Sequence, residues 1–263
     1  MGSATTQALA ATTAALRAAS GVDLDVAGEL FAVARAVGDS SQLSGALADS
    51  AAPAEARRQV VADVFGNAVK PTTASLLTTA VAQRWSSSED LVDGIEELAV
   101  RAAAVADARA DVEAELFAFT RTVADNPELE LALGSRLGEP AAKGVLVETL
   151  LKGRAGAGAT LIAASLVRQP RGRRVRRLLS RASEVVGDQR NRAVATVVAA
   201  APLSAAQSER LTAALAKRYG TPVSLNTIVD PTVVGGIRVQ IADDVIDASV
   251  SSRLADLRQR LAG

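Results

Sequence analysis

The chain of 263 residues has no cysteine and no histidine. Those two absences exclude disulfides, thiol nucleophiles, metal sites built on Cys or His, and imidazole general bases. A catalyst would be left with carboxylate chemistry alone. Aromatic residues supply 2% of the chain, too few to stack nucleobases, and the formal net charge is zero, so no net positive field draws a polyanion. Long hydrophobic runs are missing as well. The longest uncharged one, AVATVVAAAPL at 193–203, falls far short of the roughly 18 to 20 residues that cross a bilayer. The N-terminal MGSATTQALAATTAALRAASG lacks a basic n-region and Arg17 interrupts its apolar stretch, so it does not read as a signal peptide. Its MGSATT fits the loose Gly2 myristoylation pattern and is taken as a chance match. The expectation is an intracellular protein with no direct membrane insertion and no nucleic-acid partner.

What the chain does have is alanine, within a 49% hydrophobic composition. Alanine loses no side-chain entropy in a helix, so this composition favours short helices packed closely through small side chains. The helices repeat. ELFAVARAVGDSSQLSGALAD starts at Glu29 and ELFAFTRTVADNPELELALGS starts at Glu115, a period of about 86 residues. APAEARRQVVADVFG (52–66) then pairs with EPAAKGVLVETLLKG (139–153), and ASLLTTAVAQR (74–84) with ATLIAASLVRQ (159–169), with one-residue drifts.

Within the first repeat, Leu30, Val33 and Val37 mark one helix face, and Leu43 and Leu47 a short second helix. Pro53 suits the first turn of a third, with Val60, Val61, Val64 and Phe65 as its buried stripe. Pro71 opens a fourth, with Leu76, Leu77 and Val81 inward. A helix over roughly 88–109 carries Leu91, Ile95, Leu98 and Ala102, and is expected to close the first bundle while opening the second. Each repeat is then five or six helices.

Two motifs invite functional readings. GRAGAGAT (153–160) resembles a phosphate loop but lacks the Lys-Ser/Thr ending, and its counterpart in the first repeat, GNAVKPTT (66–73), is an ordinary inter-helix loop. RQPRGRRVRRLLSR (168–181) carries six arginines between Arg171 and Arg181, over an apolar stripe of Val175, Leu178, Leu179, Ala182 and Val185. The corresponding SSSEDLVDGIEEL (86–98) is acidic. Residues 1–109 hold 8 basic and 13 acidic side chains, whereas 110–187 hold 12 and 9. The arginines are either a solvated face, two faces of one molecule attracting each other, or a seat for an acidic partner.

From Asn191 the periodicity changes. AVATVVAA (193–200) reads as a strand, Ser204 with Gln207 as a capping box opening a helix to Gly220, and PVSLNTIVD (222–230) as a second strand. VVGGIRVQIA brings Ile237, Val239 and Ile241 to one face, VIDAS follows, and a last helix has Val250, Leu254, Leu257 and Leu261 on one stripe. The fold class expected is mainly α: two tandem helical-bundle units, 1–109 and 110–189 sharing the linking helix, then a small β-α-β-β-β-α module at 190–263. The Gly235–Gly236 pair enters a strand and precedes no helix, which suits a bulge or close backbone approach.

VDPTVVGGIRVQIADDVIDASVSSRLADLR resembles the C-terminal signature of the delta subunits of F-type ATP synthases, relatives of the oligomycin-sensitivity-conferring protein. Asp230, Pro231, Gly235, Gly236 and Asp247 carry the likeness as a structural signature. Ala242 and Ala248 stand where the family usually has glycine, and QALAATTAAL stands near its usual Tyr-Ala-x-Ala-Leu opening. The duplicated bundle is similar to the enlarged form of actinobacteria. The resemblance implies a non-catalytic stator subunit without cofactor or metal, at the cytoplasmic face of the bacterial membrane. Its implied partners are the N-terminal helix of an alpha subunit, held by a bundle, and the C-terminal helices of b subunits, held by the last module. Candidate contact residues are Leu76, Thr79, Ala80 and Gln83 for a groove, with plain core or surface as the competing reading. Arg173, Arg174, Arg176 and Arg177 are candidates on the basic helix, and Arg253, Arg258 and Arg260 for the stalk. A helical adaptor in some other assembly is the alternative; a carboxylate hydrolase would need facing acids in a cleft, and ADD at 242–244 lies in a tight turn instead.

Overall fold

The computed structural model describes residues 2–247 other than 136, 234, 242 and 243. Eleven helices come first: α1 (Ser3–Ala18), α2 (Leu24–Asp39), α3 (Ser41–Ala48), α4 (Ala54–Phe65), α5 (Pro71–Ala82), α6 (Ser88–Ala106), α7 (Val112–Asp125), α8 (Pro127–Gly134), α9 (Pro140–Leu151), α10 (Ala157–Arg168) and α11 (Val175–Gln189). Four strands and a helix follow: β1 (Ala193–Ala199), α12 (Ala205–Tyr219), β2 (Val223–Val229), β3 (Ile237–Ile241) and β4 (Asp244–Asp247). The mainly α class with a small α+β module is what the sequence predicts. The last apolar stripe, Val250 to Leu261, lies outside the described residues.

The helix bounds sharpen the repeat. α3, α4 and α5 recur as α8, α9 and α10 at an offset of 86 residues, and α2 and α7 end 86 apart. The one-residue drifts in the sequence pairing therefore vanish once helix starts set the register. Tertiary caps agree. Glu29 in α2 accepts from the backbone N–H of Lys70 at 2.8 Å, and Glu115 in α7 accepts from that of Gly156 at 2.9 Å. Each carboxylate thus satisfies an orphan amide at the start of the fourth helix of its repeat, α5 or α10.

Residues 1–186 form one compact unit, and one contiguous hydrophobic cluster runs through both repeats. α6 is its spine: Leu91, Ile95, Leu98, Ala99, Ala102 and Ala103 are all 2% exposed or less. α1, α2, α3, α5 and α10 all pack on it. Gly94 lets it lie against Trp85, since a Cβ there would fall 2.1 Å from the indole ring. The ring itself is buried, with Nε1 donating to the Ala80 carbonyl at 2.8 Å. α4 departs from the expected stripe. It buries Arg57, Val61 and Phe65, whereas Val64 is 50% exposed. α4 sits at the edge, packed on α5 and α3, so a single i, i+4 row suffices. Pro53 is the N-cap there, one residue earlier than expected.

The second unit, residues 187–263, has its own core of Ala195, Val197, Leu215, Val223, Val239 and Ile241. Its sheet order is β2-β1-β3-β4, with β1 and β2 parallel and the remaining pairs antiparallel. α12 is the crossover between β1 and β2 and packs on β2. The capping box on Ser204 and Gln207 forms as predicted, and Gly220 closes the helix at φ 69°.

Candidate functional site: the faces of the helical repeats

The would-be phosphate loop is already spoken for. Besides the Glu115–Gly156 contact, the Gly158 N–H donates to Asp107 at 2.9 Å, so the amides that would cradle an anion face carboxylates. Glycine is required there because a Cβ at Gly158 would press on Asp107 at 2.9 Å. Gly235 and Gly236 have φ 69° and 78°, left-handed values that side chains resist. Asp230 precedes them and accepts from the N–H and hydroxyl of Thr232 at 2.9 and 2.7 Å, fixing an Asx turn. These residues shape the entry to β3. Pro231 is exposed beside them, and Asp247 ends β4.

The arginines divide by what they touch. Arg171, at φ 50°, reaches Asp93 and Glu96 of α6, and Arg173 reaches Glu96 at 2.9 Å. Arg181 meets Glu97 at 3.2 Å, and Glu97 also holds the buried Arg101 at 2.7 Å. Arg176 pairs with Glu130 of α8 at 2.7 Å. Asp93, Glu96 and Glu97 of α6 are therefore met by Arg171 and Arg173 of the turn before α11 and by Arg181 on it. Arg174 and Arg177 are exposed and make no ion pair among the described residues. Arg253, Arg258 and Arg260 lie outside the described residues.

Of the groove candidates, Leu76 and Ala80 are core residues, 3% and 0% exposed. Thr79 and Gln83 are half-buried. The repeat register exposes a face that composition alone did not point to. α2 lies against α6 and, through Gly28 on Leu161, against α10. Gln169, just past α10, donates from its amide to Asp39 at the end of α2. The matching helices in the first repeat are α1 and α5, and residues 86 positions earlier are Thr6 for Val92, Ser75 for Leu161 and Gln83 for Gln169. Thr6 and Ser75 are exposed, and among the described residues no helix lies over α1 and α5 as α2 lies over α6 and α10. Among the described residues, too, no group of three or more His, Cys, Asp or Glu is placed to hold a metal ion, and no helix is long and apolar enough to cross a membrane.

The family model of the ATP synthase delta (OSCP) subunit matches residues 98–261. The chain belongs to the ATP synthase delta (OSCP) family. It is thus a peripheral-stalk subunit. An ATP synthase subunit delta of Leifsonia xyli is 49% identical over 265 residues, covering 100% of both chains, and one of Streptomyces avermitilis is 43% identical, covering 94% of this chain and 93% of its own. The family match begins inside α6, so it takes in the second repeat and the C-terminal module. The first repeat lies before it, and the full-length relatives carry an equivalent stretch. A chain of the Toxoplasma gondii mitochondrial ATP synthase hexamer is 22% identical over 64% of this chain and 97% of its own, with a TM-score of 0.38.

Proposed function

We propose that the chain is the non-catalytic stator link of a proton-driven ATP synthase, working peripherally at the cytoplasmic face of the membrane. In this reading the helical unit holds the N-terminal helix of an alpha subunit and the C-terminal module holds the ends of the b subunits. The joint keeps the catalytic head from turning with the rotor, so that proton flow drives ATP synthesis. The two repeats are read as copies of one duplicated unit, units 1–109 and 110–189 sharing α6, followed by the module at 190–263.

One observation carries the choice of docking face. The slot over α6 and α10 is filled by the chain's own α2, while the equivalent slot over α1 and α5 is open among the described residues. A face that accepts a helix once, by packing small side chains and one glutamine–carboxylate hydrogen bond, suits a helix from outside at its second occurrence. Thr79 and Gln83 sit at this face; Leu76 and Ala80 support it from the core. The test offers a chain ending at residue 189 two ligands: a peptide of the alpha N-terminal helix, and the C-terminal helices of the b subunits. The peptide should bind as to the full chain and the stalk helices should not. Ser75→Arg in the full chain should weaken the peptide at least tenfold and leave the stalk contact intact. Normal stalk binding by the shortened chain, or undiminished peptide binding by the variant, would overturn the assignment.

A further inference from the structure

A groove on the second repeat is lined unlike its counterpart on the first, which lies between α3 and the start of α6 at Ser44, Ser88 and Glu89. Pro127, Glu130 and Leu131 of α8 form one wall, and Arg173, Arg174 and Arg176 at the start of α11 form the other, around an open cavity of about 500 Å³. Leu131 is 75% exposed on that wall, and Leu137 beyond the end of α8 is 99% exposed. Exposed leucine beside arginines within a concavity is an unusual surface to present to water alone. Its two walls are repeated helices, but the side chains that line it are not repeated. At the offset of 86 residues the first repeat has Gly45 for Leu131 and Ala51 for Leu137. At the same offset Arg174, Arg176 and Arg177 stand where the acidic helix carries Ser88, Asp90 and Leu91.

We infer that the groove between α8 and α11 is a second docking site, for an acidic amphipathic helix of another protein of the synthase. Charge and shape decide the occupant. Arg174 and Arg177 have no carboxylate of their own among the described residues, so the partner supplies it; Leu131 needs an apolar anchor between those carboxylates. A flat lipid surface does not enter a concave groove. The chain's own 248–263 segment carries Arg253, Arg258 and Arg260 against a single Asp256, the wrong sign. The site is separate from the α1–α5 face, so each is tested without the other.

The experiment places a photoreactive residue at position 131 in the assembled synthase, with position 45 as the matched control on the first repeat. The inference expects one cross-linked segment from another protein of the complex, helical and richer in Asp and Glu than in Lys and Arg. It also expects little cross-linking from position 45, and a tenfold or greater loss at position 131 in Arg174→Glu with thermal unfolding unchanged. Cross-linking to lipid, to a second copy of this chain or to a basic segment overturns it, as does no cross-link at all. Equal yield in Arg174→Glu overturns it as well. Because the readout sits on α8, failure of the alpha-helix assignment at α1 and α5 leaves this result standing on its own.

Discussion

Glu29 and Glu115 do the same work 86 residues apart, and the neighbourhood of Glu29 adds a charged clasp that the other lacks. Lys70 donates to Asp23 at 2.7 Å and to Asp25 at 2.8 Å, tying the start of α5 to the start of α2. The hydrogen bond from Lys70 holds the Asp23 carboxyl below its ordinary range, and the bonds to Asp23 and Asp25 hold the Lys70 ammonium above its own. A lowered carboxylate contributes stability above its unfolded pKa and loses it as pH falls through the lowered value. A raised ammonium contributes below its unfolded pKa and loses it as pH rises through the raised value. The clasp therefore works in full between about pH 5 and about pH 9, given unfolded values near 3.9 and 10.4. Lys70→Met should lower the melting temperature by a small, constant amount across that window. The gap should close in acid below Asp23's titration and shrink in high salt, because the groups are exposed. A gap that persisted at pH 2 would mean that Lys70 acts through packing instead.

At the scale of elements, the ion pairs on α6 and α11 are of two kinds with different expected energies. Arg101 and Glu97 are 8% and 10% exposed at their side chains, with Arg181 on the outer side. Removing the carboxylate in Glu97→Ala takes one charged partner from the buried Arg101 guanidinium and should cost about 1.5–3 kcal/mol. Arg176, 45% exposed on Glu130, should cost at most about 1 kcal/mol when changed to Ala. Denaturant unfolding of the two variants checks the ranking; equal losses would reject it. The pairing itself was half legible. The sequence showed acidic and basic helices at equivalent positions, but not that Arg171, Arg173 and Arg181 meet the carboxylates of α6 while Arg174 and Arg177 do not. That division depends on which residues the turn before α11 aims at α6, and Arg171's left-handed backbone, which no periodicity encodes, sets the turn. Similarly, apolar spacing identified α4, but only its place at the edge of the bundle explains why Val64 is left in water. The open α1–α5 face became visible only through the register, since threonine and serine carry no hydrophobic signal. The strands and capping box of the C-terminal module were the most readable part, because alternation and Ser204–Gln207 are local rules.

At the scale of the whole molecule, the repeats are not beads on a string. α6 contributes its buried row to both, and the cluster around it is continuous. A fragment of residues 110–189 lacks that wall and should show no cooperative melt. A chain of residues 1–189 should unfold in one transition, with Trp85 fluorescence and far-ultraviolet circular dichroism superimposing. Two separated transitions would show that the repeats fold independently. The same arrangement governs how force travels. A sideways load on α1 and α5 reaches α11 through one unbroken helix and a row of guanidinium–carboxylate contacts, with no linker to bend. Close-packed interiors have low compressibility, so this stretch behaves as a strut with little elastic give. In the proposed stator role, the springiness that smooths torque would then belong to components other than these helices.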